Sequence, residues 1–273
     1  MVCVCGEKVL SMNNTLKRIK ELIDYREMIA MLVHRDLRGR YKGSFLGFAW
    51  TFINPLLQLV VYTIVFSVIM RAGIDKFYLF LFVALIPWTF FSASLTGGSA
   101  SVLAQANMVK KIYFPREVLP IAYVTTCFVN MLYSFIVVFA VIFISGVPIS
   151  LKALLYLPFV MAVEYIMCVG TAMFTSALTV YCRDLEYMLN IIAMMWMYLT
   201  PVIYPVSMVP QRLMRFFMLN PMTPVVMAYR DILYYARVPE TSTLFMVLLM
   251  GLAVLAVGWL VFEKLSRHFA EEL

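Results

Sequence analysis

Six runs of apolar residues, each about 20 residues or longer, constrain this chain more than anything else in it. A helix of that length crosses roughly 30 Å of hydrocarbon. Backbone groups in lipid must bond within their own segment, so such runs span as helices or not at all. The runs cover about Gly43 to Met70, Phe77 to Thr96, Val118 to Ser145, Ala153 to Tyr181, Tyr187 to Val206 and Thr243 to Phe262. The sequence therefore predicts an all-α integral membrane protein of six transmembrane helices. Apolar residues make up 63% of the chain and charged residues 14%, which excludes a soluble enzyme or binding module.

Three further segments complete the organisation. Residues 1–23 read as a flexible tail, 24–42 as an amphipathic interface helix, and 43–273 as the six-span domain with an outer segment over 200–240. No short apolar core with a small-residue cleavage site precedes the first run, so that run is expected to be its own insertion signal. Lys and Arg set the orientation. With the N-terminus inside, the inner segments hold every cation before Gly43, then Lys110, Lys111, Arg116, Arg183, Lys264 and Arg267. The outer side holds Arg71, Lys76, Lys152, Arg212, Arg215, Arg230 and Arg237. The net charge of +7 is thus a topology signal, and no nucleic-acid partner is expected.

Between residues 24 and 42, Met28, Ile29, Leu32, Val33 and Leu37 fall on one face at helical spacing. Arg35, Arg38 and Lys42 form a separate stripe with Tyr41 beside them. This segment is too charged to span and should lie in the inner interface, apolar side in the lipid. Its cations hold anionic headgroups, attract a diphosphate on a cargo, or do both.

Polar residues inside the runs mark faces that should avoid lipid. In the first run these are Asn54, Gln58 and Tyr62 beside Pro55, with Trp50 and Phe66 nearby; in the third, Asn130 and Tyr133; in the fourth, a stripe from Glu164 through Cys168, Thr171 and Thr175 to Thr179. All but the stripe's last four are candidates to line a channel. Glu164 marks either a pathway or a carboxyl bonded to a neighbouring helix. Aromatics crowd the first two runs, as packing or as surfaces on which sugar rings stack.

The inner loop from Gly97 to Glu117 reads as a short helix ended by Pro115, and the next, Cys182 to Tyr187, as a compact turn. The outer segment holds six of the twelve prolines and two short amphipathic stretches, a pattern suited to a hinged cap. Cys3-x-Cys5 is a weak metal signal without a histidine to complete it, so no metal is expected.

The ordered set of motifs resembles ABC exporter permeases for polysaccharides, the family that exports O-antigen, capsule and teichoic acid chains. It comprises Leu46-Gly-Phe-Ala-Trp50 with Asn54-Pro-Leu56, Leu85 to Phe91, Lys111 to Pro120, Arg183 to Tyr187, Leu199 to Pro205, and Asn220 to Pro224 with Tyr229-Arg230. The likeness runs over residues 25 to 270. It implies a homodimer in the cytoplasmic (inner) membrane of a bacterium, with both termini cytoplasmic. Two copies of a cytoplasmic ABC ATPase and a lipid-linked glycan would be its partners, alongside membrane lipids. Arg35, Arg38, Tyr41 and Lys42 would then gate the headgroup. Gln105, Asn107, Lys110, Lys111, Arg183, Asp184 and Glu186 would couple to the ATPase. Tyr204, Arg212, Phe216, Phe217, Tyr229 and Arg230 would form the outer gate. No cofactor is expected in this chain, which lacks a phosphate-binding loop; ATP and Mg belong to the partner. Alternatives are an ABC exporter of a small lipid or drug, and an ion-coupled secondary transporter built on Glu164.

Overall fold

A computed structural model describes residues 18, 20–41, 47–65 and 74–273. The described residues are helical, with no strand among them. In chain order the helices are α1 (Arg26–Tyr41), α2 (Trp50–Thr63), α3 (Phe77–Ser99), α4 (Ala106–Lys111), α5 (Val118–Ile144), α6 (Leu151–Leu154), α7 (Leu157–Tyr181), α8 (Leu185–Tyr198), α9 (Gln211–Leu219), α10 (Met222–Leu233), α11 (Thr241–Leu265) and α12 (Phe269–Glu272).

Among the described residues, four stretches are long and apolar enough to cross a membrane: Phe77–Ser99, Val118–Ile144, Leu151–Tyr181 and Thr241–His268. The other two expected spans are shorter among the described residues. Helix α2 reaches the edge of the described stretch. Helix α8 stops at Tyr198, eight residues before the expected end, because Pro201 cannot continue the backbone ladder. At 14 residues it is about 21 Å long.

Helix α3 is the centre. It is apolar all round, as a helix surrounded by protein must be, and Leu79, Phe82, Val83 and Ala84 have no exposed surface. Helices α2, α5, α7, α8 and α10 all pack against it. Phe80, Phe82, Trp88, Phe90 and Phe91 lie inside this packing.

Helix α11 packs along α7, and glycine makes the closeness possible. A Cβ on Gly258 would land inside the Gly170 carbonyl, and one on Gly170 would meet the Leu255 Cα at 2.5 Å. Helix α5 ends because Gly146 takes a left-handed conformation, φ 62°.

The polar stripe on α7 faces other helices. Thr171, Thr175 and Thr179 donate back to the carbonyls of Met167, Thr171 and Thr175 at 2.9, 3.0 and 2.8 Å. Their hydroxyls thus need no outside partner.

Side-chain contacts sort the loops into two ends. At the first, Arg18 pairs with Glu117 at 3.1 Å and Glu263 at 3.6 Å, and the Tyr181 hydroxyl donates to the Leu265 carbonyl at 2.9 Å. At the second, Lys76 donates to the Ser145 carbonyl at 2.9 Å and Tyr234 to that of Asp75 at 2.6 Å. The first end carries α1, α4 and α12, and the second carries α6, α9 and α10.

The apolar face of α1 lies on protein, where the sequence places it in lipid. Leu32 is buried, and Met28, Ile29 and Val33 pack on the same core against α5. The first turns of α5 offer apolar surface at the same depth, so the helix covers that instead.

Candidate gates and substrate path

The segment over 200–240 is organised around one side chain. Helix α10 starts with Pro224 in its first turn and dips between α3, α7 and α11. This carries Arg230 to a place where it is 3% exposed. Its Nη1 donates to the Pro201 carbonyl at 2.6 Å and to that of Tyr204 at 3.3 Å; its Nη2 donates to Val202 at 2.6 Å. The Nε reaches the Phe80 carbonyl at 3.4 Å, and the guanidinium lies 3.6 Å from the centre of the Phe80 ring. Five N–H donors in a planar fork suit this task, which lysine could not perform. The unwound stretch after α8 has bare carbonyls at depth, and Arg230 satisfies them.

The preceding residue, Tyr229, has no exposed surface. Its hydroxyl donates to Glu164 Oε2 at 2.6 Å, and its ring stacks on Phe135 at 5.7 Å. Glu164 is fully buried, and its Oε1 has no partner. The two residues join α10 to α7 at about the depth of α7's second turn.

Asn220, between α9 and α10, is a third anchor. It accepts from Trp196 Nε1 at 2.9 Å and donates to Thr200 Oγ1 at 2.8 Å. At the rim, Asp231 accepts from Arg237 at 2.7 and 2.8 Å. Burial raises the Asp231 carboxyl above the ordinary carboxylate range, and the bond from Arg237 pulls it partway back.

The other outer candidates are arranged around these anchors. Tyr204 donates to the Tyr198 carbonyl at 2.7 Å and meets Phe217 edge-on at 6.5 Å. Arg212 and Phe216 are exposed on α9.

On α2, Asn54, Leu57, Gln58 and Val61 form one exposed face, with Trp50 and Tyr62 half-buried at its sides. Amides on a lipid-facing surface are costly, so this face needs water or protein against it. Helix α8 exposes a second face, with Tyr187, Asn190, Ile191, Met194 and Tyr198 at helical spacing. Tyr133 packs edge-on with Phe52 at 6.4 Å. Asn130 Nδ2 donates to the Thr126 carbonyl at 3.0 Å, while its Oδ1 has no partner beside a cavity of about 170 Å3.

At the first end, Arg35 pairs with Asp36 at 3.1 Å and donates to Gln105 Oε1 at 3.5 Å, linking α1 to the loop before α4. Arg38, Asn107, Lys110, Lys111, Arg183 and Asp184 are exposed, and Glu186 is half-buried. Lys42 and Phe66 lie outside the described residues. The backbone of Tyr41 closes α1, while its side chain lies outside the described set.

Sequence reasoning missed Asn220 as a hub and Arg18 as an ion-pair partner. Asn220 had a signal, since Asn-Pro after a helix marks a turn whose side chain bonds locally. Arg18 had none, because its partners lie 99 and more residues away. Among the described residues no group of His, Cys, Asp and Glu could hold a metal ion.

With this arrangement in view, comparison with known proteins is informative. Residues 27–234 match the ABC-2 type transporter family. This chain belongs to that family. As an ABC-2 transporter it is the membrane subunit of a transport system. It is similar to the O-antigen export system permease protein RfbA of Myxococcus xanthus, 33% identical over 267 residues, which cover 94% of this chain and 100% of the relative. It is also similar to a protein of the same description from Klebsiella pneumoniae, 31% identical over 247 residues, covering 90% and 95%. The ABC-2 match includes all of α1 but its first residue, both exposed faces and the whole of α10, so the candidate gates and path lie in the shared part of the molecule.

Proposed function

We propose that this chain is the permease of an ATP-driven exporter that moves a lipid-linked polysaccharide of the O-antigen type across the inner membrane. The observation that carries this reading is the near end-to-end similarity to O-antigen export permeases. The exposed amides of α2 and α8 support a further step. Asn54, Gln58 and Asn190 need a wet or protein-covered surface, which a second copy of the chain facing them across a pore supplies. In this reading the protein is a homodimer of six-span subunits, with α2 in the first span and α8 with its unwound extension in the fifth. Both termini then face the cytoplasm, where most Lys and Arg lie.

The mechanism rests on α3. Its first end leads into the loop that carries Gln105 and α4, where a cytoplasmic ATPase would push. Its other end holds the Phe80 carbonyl and ring that engage Arg230. A rigid, fully packed helix between them transmits displacement from the coupling loop to the outer hairpin. The exposed Arg183 and Asp184 of the second loop would receive the same partner. Exposed Arg38, with Lys42, would steer the diphosphate of the carrier lipid toward the pore.

Deleting the gene and staining for surface glycan tests the reading: loss of long-chain glycan with normal growth of other envelope components is expected. Intact surface glycan overturns it. Co-purification with the ATPase encoded beside it tests the partner, and failure to form a complex removes the ATP-driven step.

A further inference from the structure

An apolar groove of about 410 Å3 lies between α3, α7, α8 and α11. Its walls include Leu95, Phe174, Leu189, Ile192, Val254 and Val257, and none of the described residues that border it is charged. The polar side chains it touches are all engaged elsewhere. Thr171 and Thr175 donate to carbonyls of their own helix, and Trp196 Nε1 donates to Asn220 at 2.9 Å. A trapped water needs about two to four polar partners and finds none on these side chains. Sugar hydroxyls and lipid headgroups are excluded from the groove for the same reason.

Depth and facing select the occupant. Between Leu185 and Trp196 helix α8 rises about 17 Å, close to half of a hydrocarbon core about 30 Å thick. The groove therefore runs through one leaflet, at the end that carries α1, α4 and α12, and Trp196 and Pro221 border it near mid-membrane. It opens beside Phe174 and Val257, which are exposed on the lipid side like Leu260, so it is continuous with the face these spans show to lipid. A second copy docked on the exposed side of α8 does not fill it, because Leu189, Ile192 and Trp196 lie opposite Ile191, Met194 and Tyr198. Toward the first end, exposed Lys264 shares a face of α11 with Val257, about 10 Å further along the helix. Its neighbour Glu263 is engaged by Arg18 and Arg267, at 3.6 and 4.0 Å.

We infer that the groove seats one acyl chain of an anionic phospholipid, with its phosphate at Lys264. Hydrocarbon fills an apolar void that water does not, and the ammonium holds the headgroup at the mouth. The end of the chain rests on Trp196, so the bound lipid supports the turn at Asn220 that joins α9 to α10. This lipid is a fixed part of the packing and not cargo, because a groove that ends at mid-membrane leads to no exit. The inference rests on the membrane placement of these spans and holds whatever the transporter moves.

Native mass spectrometry of the full-length chain, released from detergent, provides the test. Phosphatidylglycerol and phosphatidylcholine with identical chains are offered separately at equal concentration. Retention of phosphatidylglycerol should exceed that of phosphatidylcholine about fivefold, the contribution of one cation near a membrane surface, and Lys264→Gln should erase the difference. Val254→Trp, which fills the groove, should lower retention of both lipids about tenfold, the loss of roughly two buried methylenes. Leu252→Trp, exposed on the opposite side of the same helix, should retain both fully. Equal retention in Val254→Trp and Leu252→Trp overturns the groove as the site. A preference that survives Lys264→Gln, or no preference in the parent, overturns the assignment of the headgroup. If Val254→Trp does not fold, Ala253→Leu on the open edge of the groove decides alone.

Discussion

Replacing Arg230 by Met keeps most of the stem volume and removes the guanidinium. The two 2.6 Å bonds to Pro201 and Val202 are then lost. Charged hydrogen bonds contribute about 1.5–3 kcal/mol each, so the pair is worth about 3–6 kcal/mol. The contacts to Tyr204 and Phe80 at 3.3 and 3.4 Å add little. Relief from burying a cation that is 3% exposed offsets several kcal/mol, but carbonyls left unpaired at depth cost about 1–3 kcal/mol apiece. A net loss of about 3 kcal/mol falls on the outer hairpin, a roughly hundredfold shift toward its open state at 1.4 kcal/mol per decade. The reporter is a Val202→Cys variant, at a position with no exposed surface, in a background where the exposed Cys182 is Ser. Maleimide labelling at Val202→Cys should quicken about a hundredfold with Arg230→Met and less with Arg230→Lys, which keeps a charge but loses the fork. Labelling within about threefold of the parent (a change of less than 1 kcal/mol) would show that Arg230 does not hold the hairpin.

Other consequences follow from the same geometry. Gly258→Ala should lower the melting temperature sharply or abolish folded yield, since its methyl group overlaps the Gly170 carbonyl, whereas Gly39→Ala, with open space around it, should be silent; equal melting of the two variants contradicts the packing. Tyr229→Phe should weaken the protein by about 1–2 kcal/mol through the orphaned Glu164, and Glu164→Gln, which can still accept from Tyr229, by less. A thermal-shift series in which Glu164→Gln is the worse variant sinks that account. Asp231 has a folded pKa raised above its unfolded value, so its contribution is full below about pH 4 and is lost as pH rises through the folded value. Asp231→Asn should therefore flatten the fall in stability as pH rises above about 4, and a steeper fall in the variant would reverse the sign.

The helical class, the long spans and the two-ended distribution of charge were legible from residue order, because a lipid solvent tests each 20-residue window by itself. Family motifs likewise sit in contiguous stretches. Contacts between distant segments were not legible. Sequence places Arg230 among outer-gate residues beside exposed Arg212, yet burial and four carbonyls separate the two. Nothing local distinguishes them, since both follow prolines in short amphipathic stretches. The aromatic crowding in the second span left packing and lining open, and only its neighbours reveal packing.

Sequence by itself determined that this chain must live in a membrane as helices, how its charge divides among the segments between them, and which exporters it resembles. Those properties depend on composition within a window or on motifs in order. Tertiary structure decided that α1 rests on α5, that α8 stops short, and that Glu164 meets Tyr229. Each depends on which helix surfaces meet, and that is set by shape, as where Gly258 admits the Gly170 backbone. Hydrophobicity alone cannot choose partners inside a solvent as apolar as the helices themselves.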